Sequence, residues 1–127
     1  MKKLVSIKNS SRGNAIIGSQ IQVAESFVDK LIGLMGRRHM QFGTGMLLRP
    51  CSSIHTCFMR MPIDVLYMNR ERRVVAIDKV LKPWRVGTIK FGTTMVVELP
   101  PGTAAAQGIE VGDQLQFEDT WPVAKIA

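Results

Sequence analysis

His55, Cys57 and Met59 occupy alternate positions, and Asp64 follows within the apolar run Pro62-Ile63-Asp64-Val65-Leu66-Tyr67-Met68. Imidazole, thiolate and thioether together suit a soft metal such as Cu(I). On a strand, side chains two apart share a face about 7 Å apart, too far to close on one ion without a bend or a further ligand such as Cys51 or Met46. The simpler reading is a strand face carrying a satisfied histidine and two sulfur side chains packed as core, so no metal and no cofactor is expected. Cys57 and His55 as nucleophile and base fare no better, because a catalytic base must lie within about 3 Å of its thiol. Asp64 is the most pointed single residue. Parity puts it with Leu66 and Met68, opposite Ile63, Val65 and Tyr67, and an acid on an apolar face must be hydrogen-bonded or paired. Its structural role would be to cap a bend at Met61-Pro62. Its functional role would be to line a binding cleft with His55, Met59, Trp84 and Arg85.

The elements that must position these residues are short. Ile54–Arg60 and Ile63–Met68 read as two strands divided by Pro62, which lacks the donor a sheet interior needs. Asn69–Arg72 turns into an antiparallel strand at 73–77. Upstream, Leu4, Ile7, Ile16, Ile17, Ile21 and Val23 lie in strand-like runs around a hairpin corner at Ser11–Asn14. Ser26 is a good N-cap, Phe27, Val28, Leu31, Ile32, Leu34 and Met35 follow at helical spacing, and Gly36 can end the helix, so residues 26–36 form the one clear helix. Further strands are expected at 46–48, 94–99 and 114–118, with a helical turn or two at 102–107. The fold class is mainly β (α+β): a small antiparallel β-barrel or sandwich-like sheet with one short helix, about 26–36, packed on it.

A 127-residue chain with a 46% hydrophobic fraction supports one core, so residues 1–127 are expected to make a single domain. No apolar run approaches the roughly 20 residues that cross a bilayer, and Lys8–Arg12 interrupts any signal-like start, so a cytoplasmic protein without a membrane partner is expected. Cys51 and Cys57 would be about 20 Å apart on an extended strand, and free thiols are the reading that follows. The net charge of +7 is uneven: +2 over residues 1–29, +9 over 30–90 and −4 over 91–127. A basic middle could meet an anionic ligand or a nucleic acid, but its bases come singly or in twos, not as a stripe, and nucleic acid is not favoured.

Gly33-Leu34-Met35-Gly36-Arg37, Gly45-Met46-Leu47, Ile54-His55-Thr56-Cys57-Phe58-Met59 and Pro62-Ile63-Asp64-Val65 form an ordered series of motifs. Pro83-Trp84-Arg85, Val97-Glu98-Leu99-Pro100-Pro101-Gly102 and Gly108-Ile109-Glu110-Val111-Gly112-Asp113 continue it. Over about residues 20–118 the series resembles the prokaryotic family known as domain of unknown function 192. Many members have Trp-Met where this chain has Phe58-Met59, and Asn or Lys-Asn where it has Arg60-Met61. The resemblance implies a small, mainly β fold with a short helix, and no activity. The functional expectation is a non-enzymatic binding or accessory domain for a small anionic ligand or a macromolecular partner. The alternatives are a weakly nucleic-acid-associated protein using residues 30–90, and a hydrolase or carbohydrate-active protein using His55 and Asp64.

Overall fold

The computed structural model describes residues 3–26, 29–30 and 34–119. Seven strands run β1 (Leu4–Asn9), β2 (Ala15–Ala24), β3 (Thr44–Leu48), β4 (Ile63–Met68), β5 (Val74–Leu81), β6 (Met95–Leu99) and β7 (Leu115–Asp119). They form one curled half-barrel sheet in the order β5-β4-β6-β3-β2-β1-β7. The expected mainly β architecture is what forms. One pairing departs from the antiparallel pattern: β2 and β3 run parallel, as a connection spanning residues 25–43 allows. The edges of the sheet approach each other at one end, where the Leu115 N–H donates to the Arg72 carbonyl and the Val74 N–H to the Asp113 carbonyl.

Both faces of this sheet are covered. On one, Val5, Ile7, Ile21, Leu47, Leu66, Met68, Val97, Leu99 and Leu115 pack with Ala104 and Ile109. On the other, Met46, Leu48, Ile63, Val65, Tyr67 and Val96 pack with Leu34, Ile54 and Met59. Alternation along each strand sorts its side chains between the two layers. Strand β4 is buried at every position from Ile63 to Met68, as a strand covered on both sides must be.

The helical segment is seen in part. The Asp29 N–H donates to Ser26 Oγ at 3.0 Å, the cap expected there, and Asp29 and Lys30 are helical. Leu34–Gly36 is a turn, with Gly36 left-handed at φ 83°. Phe27, Val28 and residues 31–33, which carry most of the expected apolar stripe, lie outside the described residues. A short helix α1 (Thr103–Gln107) occupies the place expected for a helical turn.

Residues 54–60 do not form the expected strand. His55 makes one isolated bridge to Val86, and Thr56 ties the segment to the 82–87 loop instead. The Thr56 N–H donates to the Arg85 carbonyl at 2.8 Å, its hydroxyl donates to the Lys82 carbonyl at 2.6 Å, and the Arg85 N–H returns to Thr56 Oγ1 at 2.9 Å. Phe58 then takes a left-handed backbone, φ 67°, outside the extended region of a regular strand. β-branched and sulfur side chains suggested a strand, but the local backbone found its partners in a loop.

Asp64 is fully buried on the Leu66 and Met68 side, as parity requires. It caps different amides from those expected. Instead of the Met61-Pro62 bend, the Val80 N–H donates to Oδ1 at 2.9 Å and the Ala104 N–H to Oδ2 at 2.8 Å. The carboxylate thus joins β4 to β5 and to the first turn of α1. Replacing Asp64 with alanine strands two donors and should cost about 2–4 kcal/mol. Asn keeps one acceptor oxygen and should fall between. Urea melts of Asp64, Asp64→Ala and Asp64→Asn proteins at neutral pH measure the series, and an alanine variant as stable as the parent would contradict the role.

A second tie holds the 84–88 loop. Tyr67 Oη donates to Asp78 Oδ2 at 2.7 Å, and Thr88 donates through its N–H at 2.8 Å and its hydroxyl at 2.6 Å. Burial, and then the Asp78 carboxylate, push the Tyr67 hydroxyl's pKa up. Burial pushes the Asp78 carboxyl up, but the donors from Thr88 and Tyr67 outweigh it and leave the group below its usual range. A Cβ at Gly87 would collide with Tyr67 Oη. Gly87→Ala should therefore destabilise the protein and loosen this network, seen as a lower thermal midpoint and faster amide exchange at Thr88.

Candidate functional site

The cleft forms on the β3–β6 surface, on the layer that holds Leu48 and Val96. Residues 49–59 leave the end of β3 and fold back over the sheet. Their course is fixed by the Cys51 N–H donating to the Thr94 carbonyl at 2.9 Å and the Gly87 N–H donating to the Ile54 carbonyl at 3.0 Å. Lys30, Leu34 and Met35 supply the opposite wall, and the Lys30 ammonium donates to the Pro50 carbonyl at 2.8 Å. Between them lies a space of about 380 Å³. Small-molecule sites usually measure about 300–1,000 Å³.

Of the five residues expected to share a cleft, His55 and Met59 line this one and Asp64, Trp84 and Arg85 do not. Asp64 lies on the opposite face of the sheet with both oxygens committed. Trp84 is exposed on the outer side of the 54–60 loop, its ring 4.7 Å from that of Phe58. Arg85 is exposed, with its guanidinium near the Pro83 and Trp84 carbonyls. The cleft adds Cys51 and Cys57, both free thiols. His55 Nδ1 accepts the Cys57 N–H at 3.2 Å, which leaves the ring proton of the neutral form on Nε2. Burial, reinforced by a nearby carboxyl, pushes the Cys51 thiol's pKa up, so it stays protonated and a poor nucleophile at neutral pH. Among the described residues, no three His, Cys, Asp or Glu side chains gather to hold a metal ion.

That nearby carboxyl is Glu98, which the sequence reading did not single out. It lines the cleft and is only 5% exposed. Its cross-strand neighbours are Met46 on β3 and Val65 on β4, both buried and apolar. No hydrogen bond or ion pair reaches its side chain among the described residues. Burial alone raises its pKa to about 7. The signal was present in the sequence: Val96-Val97-Glu98-Leu99 places an acid in an apolar strand, as Ile63-Asp64-Val65 does. Parity pairs Glu98 with Val96, against Val97 and Leu99.

The family model described as Uncharacterized ACR, domain of unknown function 192, matches residues 7–117. The chain belongs to this family. The matched span reaches further toward the N-terminus than the motif series suggested, taking in the second half of β1. A UPF0127 protein of Pyrococcus furiosus is 36% identical over 101 residues, covering 77% of this chain and 86% of that protein. A UPF0127 protein of Thermococcus sibiricus is 29% identical over 114 residues, covering 87% of this chain and 73% of that one. A crystal structure of a Novosphingobium aromaticivorans protein of unknown function superposes with a TM-score of 0.76 at 24% identity, over 89% of this chain and 83% of that one. The last likeness shows the shared fold.

Glu98 sets a pH dependence with a definite sign. Its folded pKa of about 7 lies above the ordinary value of 4.5, so the folded state holds the proton more tightly than the unfolded chain does. Stability falls as pH rises from about 4.5 to above 7, by on the order of 3 kcal/mol in full. Glu98→Gln removes that loss. Chemical melts should find the variant more stable than the parent at pH 8, with the difference vanishing near pH 4.5. An equal margin at both pH values would show that Glu98 is not buried unpaired.

Proposed function

We propose that this chain is a non-enzymatic binding or accessory domain of the cytoplasm that takes a small ligand into the cleft bounded by Lys30, Leu34, Leu48, Ile54 and Met59. The observation that carries the reading is the cleft itself, which has small-molecule dimensions, apolar walls and, at its base, a carboxyl with no partner among the described residues. Few converging polar groups in a largely apolar hollow are the usual composition of a binding site. An anionic group on such a ligand would find Lys30 at the wall and would be opposed by Glu98 at the base. A hydrolase working through His55 and Asp64 has less support, because the sheet lies between the two side chains. A second reading, weak nucleic-acid association, draws on the exposed Phe58–Trp84 pair with Arg60, Lys82 and Arg85 close by in sequence. An aromatic platform of this kind stacks bases without selecting them.

Native mass spectrometry of protein isolated at low salt should find a retained small molecule. Cys51→Trp, which fills the cleft from the loop side, should lose it while remaining folded. A folded parent protein that carries nothing, from several expression hosts, would count against the reading. RNA affinity that collapses between 50 and 200 mM salt, and that falls on Trp84→Ala, would favour the second one.

A further inference from the structure

Among the described residues, Asp64, Asp78 and Asp113 are enclosed carboxylates with hydrogen-bond donors on them. Asp64 accepts two backbone N–H groups. Asp78 accepts three donors from Tyr67 and Thr88. Asp113 accepts from Asn9, Arg12 and the Glu110 N–H. Glu98 accepts from none of the described residues, although it is as enclosed as Asp113 at 5% exposure. A carboxylate offers about four acceptor positions, and burying one unpaired is costly, so such groups in native proteins call for a partner.

The described groups that face it do not supply one. Tyr67 on β4 is committed to Asp78. The Cys51 thiol donates to the Ser53 carbonyl, and Lys30 is held at the Pro50 carbonyl. His55 and Cys57 sit on the loop side of the cleft, joined to each other through the backbone. We infer that the base of the cleft receives an ammonium group, so that the ligand is a small amine with an apolar body. The inference rests on the cleft being the ligand site proposed above.

An ammonium fits for three reasons. It brings up to three donors to a group that has none. It restores the ionised carboxylate by a charge-assisted hydrogen bond, stronger than a neutral alcohol could offer. Its methylene body matches walls made by Leu34, Leu48, Ile54 and Met59. An anion at the same place would meet a like charge. Because only ionised Glu98 attracts the amine, binding releases the carboxyl proton in the fraction of molecules that still hold it.

The test uses pentylammonium, pentanol and pentanoate as probes, with the full chain observed by ¹H–¹⁵N NMR at the amides of Cys51, Ile54, Met59 and Glu98. Pentylammonium should shift these amides, with Kd falling about tenfold per pH unit below 7 and levelling off by about pH 8. Pentanol should bind at least about tenfold more weakly at pH 8. Glu98→Gln should weaken the amine by a similar factor, remove the pH dependence and leave pentanol unchanged. Pentanol or pentanoate binding as tightly as the amine, or Glu98→Gln leaving the amine unaffected, overturns the ammonium inference while the cleft reading stands. A folded protein in which no probe moves a cleft amide overturns both.

Discussion

The two-sided burial of the sheet is the constraint on which the rest depends. Once β4 and β6 are covered on both faces, any polar side chain on them leaves water, and its fate is decided by what the neighbouring backbone can offer. Asp64 and Glu98 lie on these adjacent strands, at registers where Asp64 faces Leu99 and Val65 faces Glu98. They point to opposite layers. On the Asp64 side, the Val80 N–H near the end of β5 and the Ala104 N–H in the first turn of α1 both donate to the acid, which becomes a joint. On the Glu98 side, the covering loop satisfies its own backbone elsewhere and leaves a hollow. The same residue class, one strand away, therefore serves structure in one layer and is open to a ligand in the other.

The loop that makes the hollow is held from behind. Thr56 exchanges hydrogen bonds with Lys82 and Arg85, Ile54 accepts from Gly87, and position 87 takes glycine because Tyr67 Oη occupies the space a Cβ would need. The chain passes through left-handed backbone at both Phe58 and Trp84, φ 67° and 63°, positions where a bulky side chain is disfavoured. That cost is borne where the two loops meet and the two rings pack outside the cleft. The wall carrying His55 and Met59 is thus positioned by contacts on its far side.

Legibility followed locality. Strands 63–68 and 94–99, the hairpin corner after β1 and the turn at 69–72 could be read because turn residues and alternation act over a few positions. The side on which Asp64 lies was read from parity alone. Its partners were not, since Val80 and Ala104 are 16 and 40 residues away and nothing in the sequence marks their amides as free. The strand expected at 54–60 failed for the same reason, because Thr56 pairs with a loop nearly thirty residues downstream. The parallel β2–β3 pairing escaped too, as its register depends on how the 25–43 connection crosses the sheet. Glu98 obeys the rule applied to Asp64, an acid within an apolar strand, but the sequence does not show that its layer leaves it without a backbone donor among the described residues.

The seam between β1 and β7 bears on the order in which this molecule can assemble. Val5 through Asn9 pair with residues 115–119, and the same terminal strand also meets Arg72. The hairpin β4–β5 needs only its own turn and can form early, whereas the first strand must wait for the last segment of the sheet before that edge is covered. Pairings so distant along the chain require loop-closure entropy to be lost before contacts return it, which slows folding. Until β7 arrives, β1 presents an open hydrogen-bonding edge beside Val5 and Ile7. That interval, rather than the finished half-barrel, is when the chain is most exposed to pairing with another copy of itself.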